Sequence, residues 1–423
     1  MLKIYVELSI LQIRMFYCIS RRKNVLFQLL YTAIMYKNYY AILRGVRKMH
    51  YLDHSATTAV LPEAAHAAMH AMCTAFGNPS SQHRMGIEAA AELKSARETI
   101  ASALGCSAGE VYFTSCGTES TNTAIVGATF KNRHFGKHII TTSIEHAATL
   151  QTCKRLESEG FRVTYLQPDA DGHISTEQFE NALDEDTILA SIMLVNNELG
   201  TVLDVASFGK VLKKHCPKAL FHIDAVQGFC RVPLTPAKWN CDLMSISGHK
   251  IGAPKGIGAL YMKKGTNLRP YLIGGGQESG MRSGTEALPN ILAFAKACKI
   301  RQAHMKEDFQ FVEELNQALR AGITEKYPWA LINGSADIPH VLNVSFPGCK
   351  SEVMLRVLES DEVYVSAGSA CSKGKESHVL KSIGLDKARI DSALRVSFSP
   401  TNTIQDVEAF LNAVEKGVKM LKR

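Results

Sequence analysis

A lysine that follows an apolar strand-like run, in a turn of small residues, can form a Schiff base with an aldehyde. Ser245-Ile246-Ser247-Gly248-His249-Lys250 places Lys250 in that setting. Twenty-six residues earlier, His222-Ile223-Asp224-Ala225-Val226-Gln227 ends another apolar run on Asp224, a carboxylate suited to a protonated pyridine nitrogen. Taken singly, each has a plainer account, Lys250 as a solvated loop lysine and Asp224 as a helix cap. As a pair they point to pyridoxal phosphate.

Three further groups have types that could serve the same chemistry. Phe113-Thr114-Ser115-Cys116-Gly117-Thr118-Glu119-Ser120 leads from a third apolar run into a helical stretch from about Thr121. Free backbone N–H groups and the helix dipole at such a start attract a phosphate, although the same turn also serves as an ordinary N-cap. Ser143-Ile144-Glu145-His146 puts an imidazole at the end of a fourth run, where it can stack on an aromatic ring, move a proton or be structural. Cys371 stands in Val365-Ser366-Ala367-Gly368-Ser369-Ala370-Cys371-Ser372-Lys373-Gly374, and Lys373 and Lys375 nearby favour its thiolate. Cys153, Cys241 and Cys298 lie instead in apolar surroundings, as structural cysteines do.

These residues need a scaffold that alternates strands with helices. Pro62 to about Phe76 and Gly86–Leu104 are Ala-rich and free of breakers, which predicts two helices. Strand-like runs follow at Val111–Ser115, His138–Thr142, Arg162–Gln167, Thr187–Val195, Ala219–Asp224, Asp242–Ser247 and Gly258–Met262. That spacing predicts an α/β fold with a mostly parallel sheet. After about Ile300 a charged helical stretch runs through Leu319, then strands near His340–Phe346, Val363–Ser366 and Ala393–Ser399 predict a smaller α+β domain. The chain closes on an amphipathic helix with Ile404, Val407, Leu411, Val414, Val418 and Leu421 on one face, opened by Thr403 with Asp406 three residues on.

The 423-residue chain has an ordinary globular composition, 46% hydrophobic and 21% charged. Its net charge of +8 belongs to residues 1–48, which hold nine Lys/Arg and one acid, Glu7; the remainder balances 39 bases against 39 acids. A neutral body argues against nucleic-acid binding. The leader has six of the thirteen Tyr and only two Ser, a poor transit peptide, and its apolar runs are broken too often to span a membrane. It reads as an over-extended translation start ending before Met49. Eleven scattered cysteines without a CxxC pair indicate a reducing compartment, the cytoplasm. His66 and His70 share a helical i,i+4 spacing, but no Glu follows His66 as a zinc hydrolase motif requires, and two exposed helix histidines are expected.

From Met49 onward the sequence resembles a cysteine desulfurase of the pyridoxal-phosphate class V aminotransferase superfamily. The matching stretches are Tyr51-Leu52-Asp53-His54-Ser55-Ala56-Thr57-Thr58, Phe76-Gly77-Asn78-Pro79-Ser80-Ser81, Thr114 to Ser120, Glu145-His146 and Val195-Asn196-Asn197-Glu198, then His222 to Gln227 and Ser247 to Lys250. Met281-Arg282-Ser283-Gly284-Thr285, Ser369-Ala370-Cys371 and Leu394-Arg395-Val396-Ser397 complete them. The resemblance implies fold type I of the pyridoxal-phosphate transferases, with a seven-stranded, mostly parallel sheet in a large domain at 64–305. A small domain of 49–63 and 306–423 would carry the Cys371 loop, and 1–48 would lie outside the functional enzyme.

It implies Lys250 as the Schiff-base lysine, Asp224 on the pyridine nitrogen, Gln227 on the phenolic oxygen and His146 stacked on the ring. Gly117, Thr118, Ser247 and His249 would hold the phosphate, with Thr285 reaching across from a second subunit of a homodimer. Asn197 would serve cofactor and substrate, pairing with Arg395 for the carboxylate of L-cysteine. Lys250, Cys371 and His146 would be the catalytic residues, L-alanine the product, and the sulfur would pass as a Cys371 persulfide to a protein acceptor, a scaffold for iron–sulfur clusters or a thiolation enzyme. No resident metal is implied, Cys371 being the candidate for a transient iron–sulfur ligand, and neither nucleic acid nor membrane is an expected partner. Selenocysteine lyase and class V aminotransferase are the alternatives on this fold, and a basic binding protein using the leader is the non-enzyme one. Two departures stand out: Cys116 replaces a usual Gly in the phosphate turn, and Ile251-Gly252-Ala253-Pro254 replaces a Tyr-Gly-Pro run, which is expected to loosen the loop behind the lysine.

Overall fold

The computed structural model describes residues 49–368 and 376–421. The chain enters through a short strand β1 (His50–Tyr51), then two long helices, α1 (Pro62–Cys73) and α2 (Arg84–Leu104). Pro62 opens α1 where its missing N–H costs nothing. The helix stops at Cys73, short of the expected Phe76, which is left 65% exposed. His66 is half-buried rather than exposed, since Ala64 and Ala68 turn that face inward, whereas His70 is exposed. α2 begins two residues early because His83 Nδ1 accepts the Gly86 N–H, and it ends on Gly105 in the left-handed region.

The central elements follow as β2 (Val111–Thr114), α3 (Gly117–Asn132), β3 (His138–Thr142), α4 (Ala147–Ser158), β4 (Arg162–Leu166), α5 (Thr176–Asn181), β5 (Thr187–Met193), α6 (Val205–His215), β6 (Leu220–Asp224), β7 (Leu243–Ser247) and β8 (Gly258–Met262). They build one seven-stranded sheet in the order β2-β8-β7-β6-β5-β3-β4. β4, β3, β5, β6 and β7 run parallel, and β8 pairs antiparallel with both β7 and β2. Every residue of β3, β5, β7 and β8 is buried, as strands covered on both faces must be. Their apolar runs were therefore continuous rather than alternating.

Two helices continue the chain, α7 (Leu288–Ala303) and α8 (Met305–Lys326). The first was not anticipated; Pro289 lies in its first turn, and its Ala293, Phe294 and Ala297 share the core of α1 and α2. The second continues two turns past Leu319. Then come β9 (Leu331–Asn333), β10 (Val341–Ser345), α9 (Ser351–Ser360), β11 (Val363–Tyr364), α10 (His378–Ser382), α11 (Lys387–Asp391), β12 (Ala393–Ser397) and α12 (Ile404–Leu421). A three-stranded antiparallel sheet of order β12-β10-β9 and a parallel β1–β11 pair complete the topology; β9 is an edge strand that the pattern did not reveal.

The second sheet has its own apolar core, in which Leu52 joins Leu315, Val344, Phe346, Leu394, Phe410 and Val414. Truncating Phe410, fully buried there, costs about 3–5 kcal/mol by the usual scale for such changes. α12 buries Val407, Leu411 and Val414 as its periodicity requires, but Ile404 in its first turn is 44% exposed. The Asp406 carboxylate accepts the Thr403 N–H at 2.8 Å, which caps that start.

Candidate active site

The carboxyl ends of β2, β3, β5, β6 and β7 lead into one cavity of about 200 Å³. Ligands of open α/β sheets bind at this edge, because loops leaving the strand ends there can converge without interrupting the sheet. Gly117 and Thr118 come from the start of α3, His146 from the start of α4, and Asn197 from the loop after β5. Asp224 ends β6, with Gln227 just beyond it. Ser247 ends β7, and His249 and Lys250 follow in a 3₁₀ turn. Arg395 reaches in from β12.

Lys250 Nζ donates to the carbonyls of Ser55 (2.5 Å) and Ala56 (2.8 Å), so an ammonium is held at the cavity wall by oxygens from the chain's first loop. The Ser55 carbonyl also accepts Gln227 Nε2 at 3.0 Å, while Gln227 Oε1 accepts from Arg231 Nη1 at 2.7 Å. This fixes the Gln227 amide with its nitrogen toward Ser55 and leaves one of its two N–H protons for a ligand. Sequence reasoning did not single out the Ser55 and Ala56 carbonyls or Arg231. The Tyr51–Thr58 motif was the one signal for the first two.

Asp224 is buried, and burial pushes its carboxyl up; the charges of His146 and Lys250 and the Val226 N–H pull the other way. A cation brought against it would favour the ionised form. His146 caps α4 by accepting the Ala148 N–H on Nδ1 at 3.1 Å, which in the neutral ring leaves the proton on Nε2. Beside it the fully buried Glu145 is raised to about 8, chiefly by burial. Its Oε1 accepts from Met193 N and Thr142 Oγ1, and among the described residues Oε2 has no hydrogen-bond partner. His249 is lowered to about 4 by burial and by the Lys250 and Lys255 charges, so it is a neutral imidazole at pH 7.

The cavity fits the phosphate end of the expected cofactor. α3 begins at Gly117 with no side-chain cap from Cys116, which leaves backbone donors of its first turn directed outward. Ser247 Oγ and Thr121 Oγ1 line the cavity, buried and without a hydrogen-bond partner among the described residues. A Cβ at Gly117 would meet Val226 Cγ2 at 2.8 Å, so any larger residue would crowd this cradle. Donors for an oxyanion, a carboxylate for a pyridinium and a lysine amine for an aldehyde thus share one volume.

Arg395, 1% exposed, donates from Nη1 to the Asn197 carbonyl at 3.1 Å and from Nη2 to Asp53 Oδ1 at 2.7 Å. Thr285 is exposed and does not line the cavity of its own chain. The assignments to Cys371, Lys373 and Lys375 fall outside the described residues. Cys116 lines the cavity half-buried, whereas Cys153, Cys241 and Cys298 are fully buried. The loop after Lys250 is not loosened: Ile251 and Ala253 are buried, both N–H groups bond the Gly248 carbonyl, and Gly252, at a φ of +93°, supplies the turn.

The aminotransferase class-V family matches residues 50–410. The chain is 42% identical over 376 residues to a protein named cysteine desulfurase IscS from Methanosarcina thermophila, covering 88% of this chain and 92% of that protein. A solved NifS-like protein superposes with a TM-score of 0.83 at 37% identity, over 88% of this chain and 99% of its own. Another, described as SspA in complex with cysteine, gives a TM-score of 0.74 at 36% identity, over 84% and 99%. This chain belongs to the aminotransferase class-V family, and its fold is that of the type I pyridoxal-phosphate enzymes.

Proposed function

We propose that this member of the class-V family is a pyridoxal-phosphate-dependent cysteine desulfurase, which converts L-cysteine to L-alanine and passes the sulfur to an acceptor protein. The observation that carries the reading is the convergence of Lys250, Asp224, the α3 start and Arg395 on one cavity, in a chain 36% identical to a protein solved with cysteine. Gly117, Thr118, Ser247 and His249 would hold the cofactor phosphate, Asp224 the ring nitrogen and Gln227 the phenolic oxygen. The bound cofactor supplies an electron sink for the carbon from which a proton is removed.

The protein's own residues do the rest. Arg395 takes the substrate carboxylate on its planar fork, with Asn197 beside it. The Lys250 amine removes the Cα proton and later returns one, acting at the edge where Ser55 and Ala56 hold it. The Cys371 thiolate bonds the substrate sulfur while the Cβ–S bond breaks with its electron pair left on the carbon skeleton. Cys371 then carries a persulfide, and a proton completes alanine. His146, which accepts the Ala148 N–H on Nδ1 and so keeps its proton on Nε2 in the neutral ring, would carry protons for the thiol steps.

Several finer points belong to the same reading. Residues 64–305 form the cofactor domain, and 49–63 with 306–423 the smaller one, supported by the separate apolar core around the second sheet. A homodimer is supported by exposed Thr285 and by Ile273, 85% exposed beside the Leu272–Arg282 bridge. A cytoplasmic location is supported by nine free cysteines among the described residues. No helix among those residues is long and apolar enough to cross a membrane. Incubation with L-cysteine and a thiol reductant, with alanine and sulfide measured together, should yield the two in equal amounts. Pyruvate, or alanine that appears only with an added keto acid, would overturn the reading in favour of a lyase or transaminase.

A further inference from the structure

Lys250 lines a second cavity besides the main one, a small volume of about 20 Å³ whose wall is part apolar and whose other polar and charged side chains are Thr58, Arg231, Arg301, Asp308, His340 and Ser399. Its charges do not balance. Arg231 is 7% exposed and bonds only neutral oxygens, Gln227 Oε1 at 2.7 Å and the Lys250 carbonyl at 3.4 Å. The Arg301 side chain is 13% exposed and meets one carboxylate, Asp308, at 3.3 Å. Among the described residues no other acid lies within ion-pair distance of either guanidinium. Two cations against one anion remain inside the protein, where a charge without a counter-ion is costly.

The neighbouring imidazoles supply no negative charge. His340 Nδ1 in the wall and both ring nitrogens of nearby His54 are buried without a hydrogen-bond partner among the described residues, and since a neutral imidazole carries one N–H donor and one acceptor nitrogen, His340 can turn a donor toward an anion. Burial and the Arg231 and Arg301 charges hold both rings well below the usual histidine range. They stay neutral, able to donate one N–H each without adding to the positive charge.

We propose that this cavity is a binding site for a single small inorganic anion, a halide such as chloride, held between Arg231 and Arg301. Its volume is that of a water-sized guest, too little for the oxygens of phosphate or sulfate. The remaining Arg231 N–H bonds run to Gln227 and to the Lys250 carbonyl, so an anion here would brace two residues of the main cavity from behind. The site stands on its own charges and does not depend on the reaction assigned to the main cavity.

The probe is bromide, which takes the place of chloride and scatters anomalously. Crystals of the holoenzyme soaked in sodium bromide should show one anomalous peak in this cavity, within contact distance of both guanidinium groups. In solution, replacing gluconate by chloride at constant ionic strength should raise the holoenzyme's Tm along a saturating curve, by on the order of 2 °C at ten times the Kd. Arg231→Met and Arg301→Gln should each abolish that rise, and the wild-type crystal needs neither variant to fold. Bromide peaks confined to the outer surface, a wild-type Tm indifferent to halide, or a rise that persists in both variants would each overturn the site.

Discussion

Asp53 Oδ1 lies 2.7 Å from Arg395 Nη2, so the guanidinium that lines the cavity is already oriented by a carboxylate from the loop after β1. The second prong bonds the Asn197 carbonyl, and Nε is buried without a partner among the described residues. Asp53 is the more exposed member, at 17% against 1% for Arg395. It aims the fork at the cavity.

Arg395→Lys should keep the charge and lose the two-pronged geometry. We expect the KM for L-cysteine to rise about tenfold to a hundredfold, the loss of a hydrogen bond or two to a charged group, with cofactor absorbance unchanged. Asp53→Ala should instead lower stability by about 1–3 kcal/mol, because it strands a buried guanidinium; denaturant unfolding of the holoenzyme reads this. Equal KM values for wild type and Arg395→Lys would remove Arg395 from substrate binding.

Glu145 gives a pH dependence whose sign is fixed by its environment. Its carboxyl is raised from 4.5 to about 8 in the folded protein, so between those values the native state holds a proton that the unfolded chain has lost. Its contribution to stability is full below pH 4.5 and disappears as pH rises through 8. The histidines run the other way: His54 and His249, each lowered to about 4, contribute stability that is lost as pH falls from 6.5 through 4. Glu145→Gln should therefore gain stability relative to wild type across pH 4.5 to 8 and show a flat difference outside it. Parallel Tm–pH curves for the two proteins would refute the buried neutral carboxyl.

Lys250 should be the residue on which borohydride fixes the cofactor, as mass spectrometry of the reduced peptide can show. Lys250→Ala should abolish turnover while still retaining some cofactor through the phosphate cradle. Asp224→Ala should slow Cα-proton removal by roughly three decades, the effect of a few kcal/mol on the barrier. An adduct on Lys255 or Lys263 would contradict the geometry at Ser55 and Ala56.

Cys371 should be the sulfur acceptor. Cys371→Ser should keep the reducible cofactor and bind cysteine, yet release almost no sulfide or alanine. Wild type treated briefly with cysteine should carry one additional sulfur on the Cys371 peptide, removable by reductant. A label on Cys116, which lines the cavity of Lys250 and Asp224, would transfer the nucleophile's role to that thiol.

The strands of the seven-stranded sheet could be read from the sequence because strands covered on both faces are short apolar runs between breakers; His138–Thr142 and Gly258–Met262 agree to the residue. The chemistry was legible for a related reason. Asp224 and Ser247 end such runs and Lys250 stands in the turn that follows the second, and the carboxyl ends of parallel strands share one edge of the sheet. Residues whose roles come from distant neighbours were not legible. Nothing in the Ser55-Ala56 dipeptide announces that its carbonyls hold an amine 195 and 194 positions away, and Arg231 reads as a loop cation until Gln227 and Lys250 close on it. α7 escaped notice because its apolar residues surround the helix instead of forming a stripe, as suits a helix enclosed between others. Periodicity is a property of the local chain, whereas a hydrogen bond between separate loops exists only once side-chain packing has brought them together.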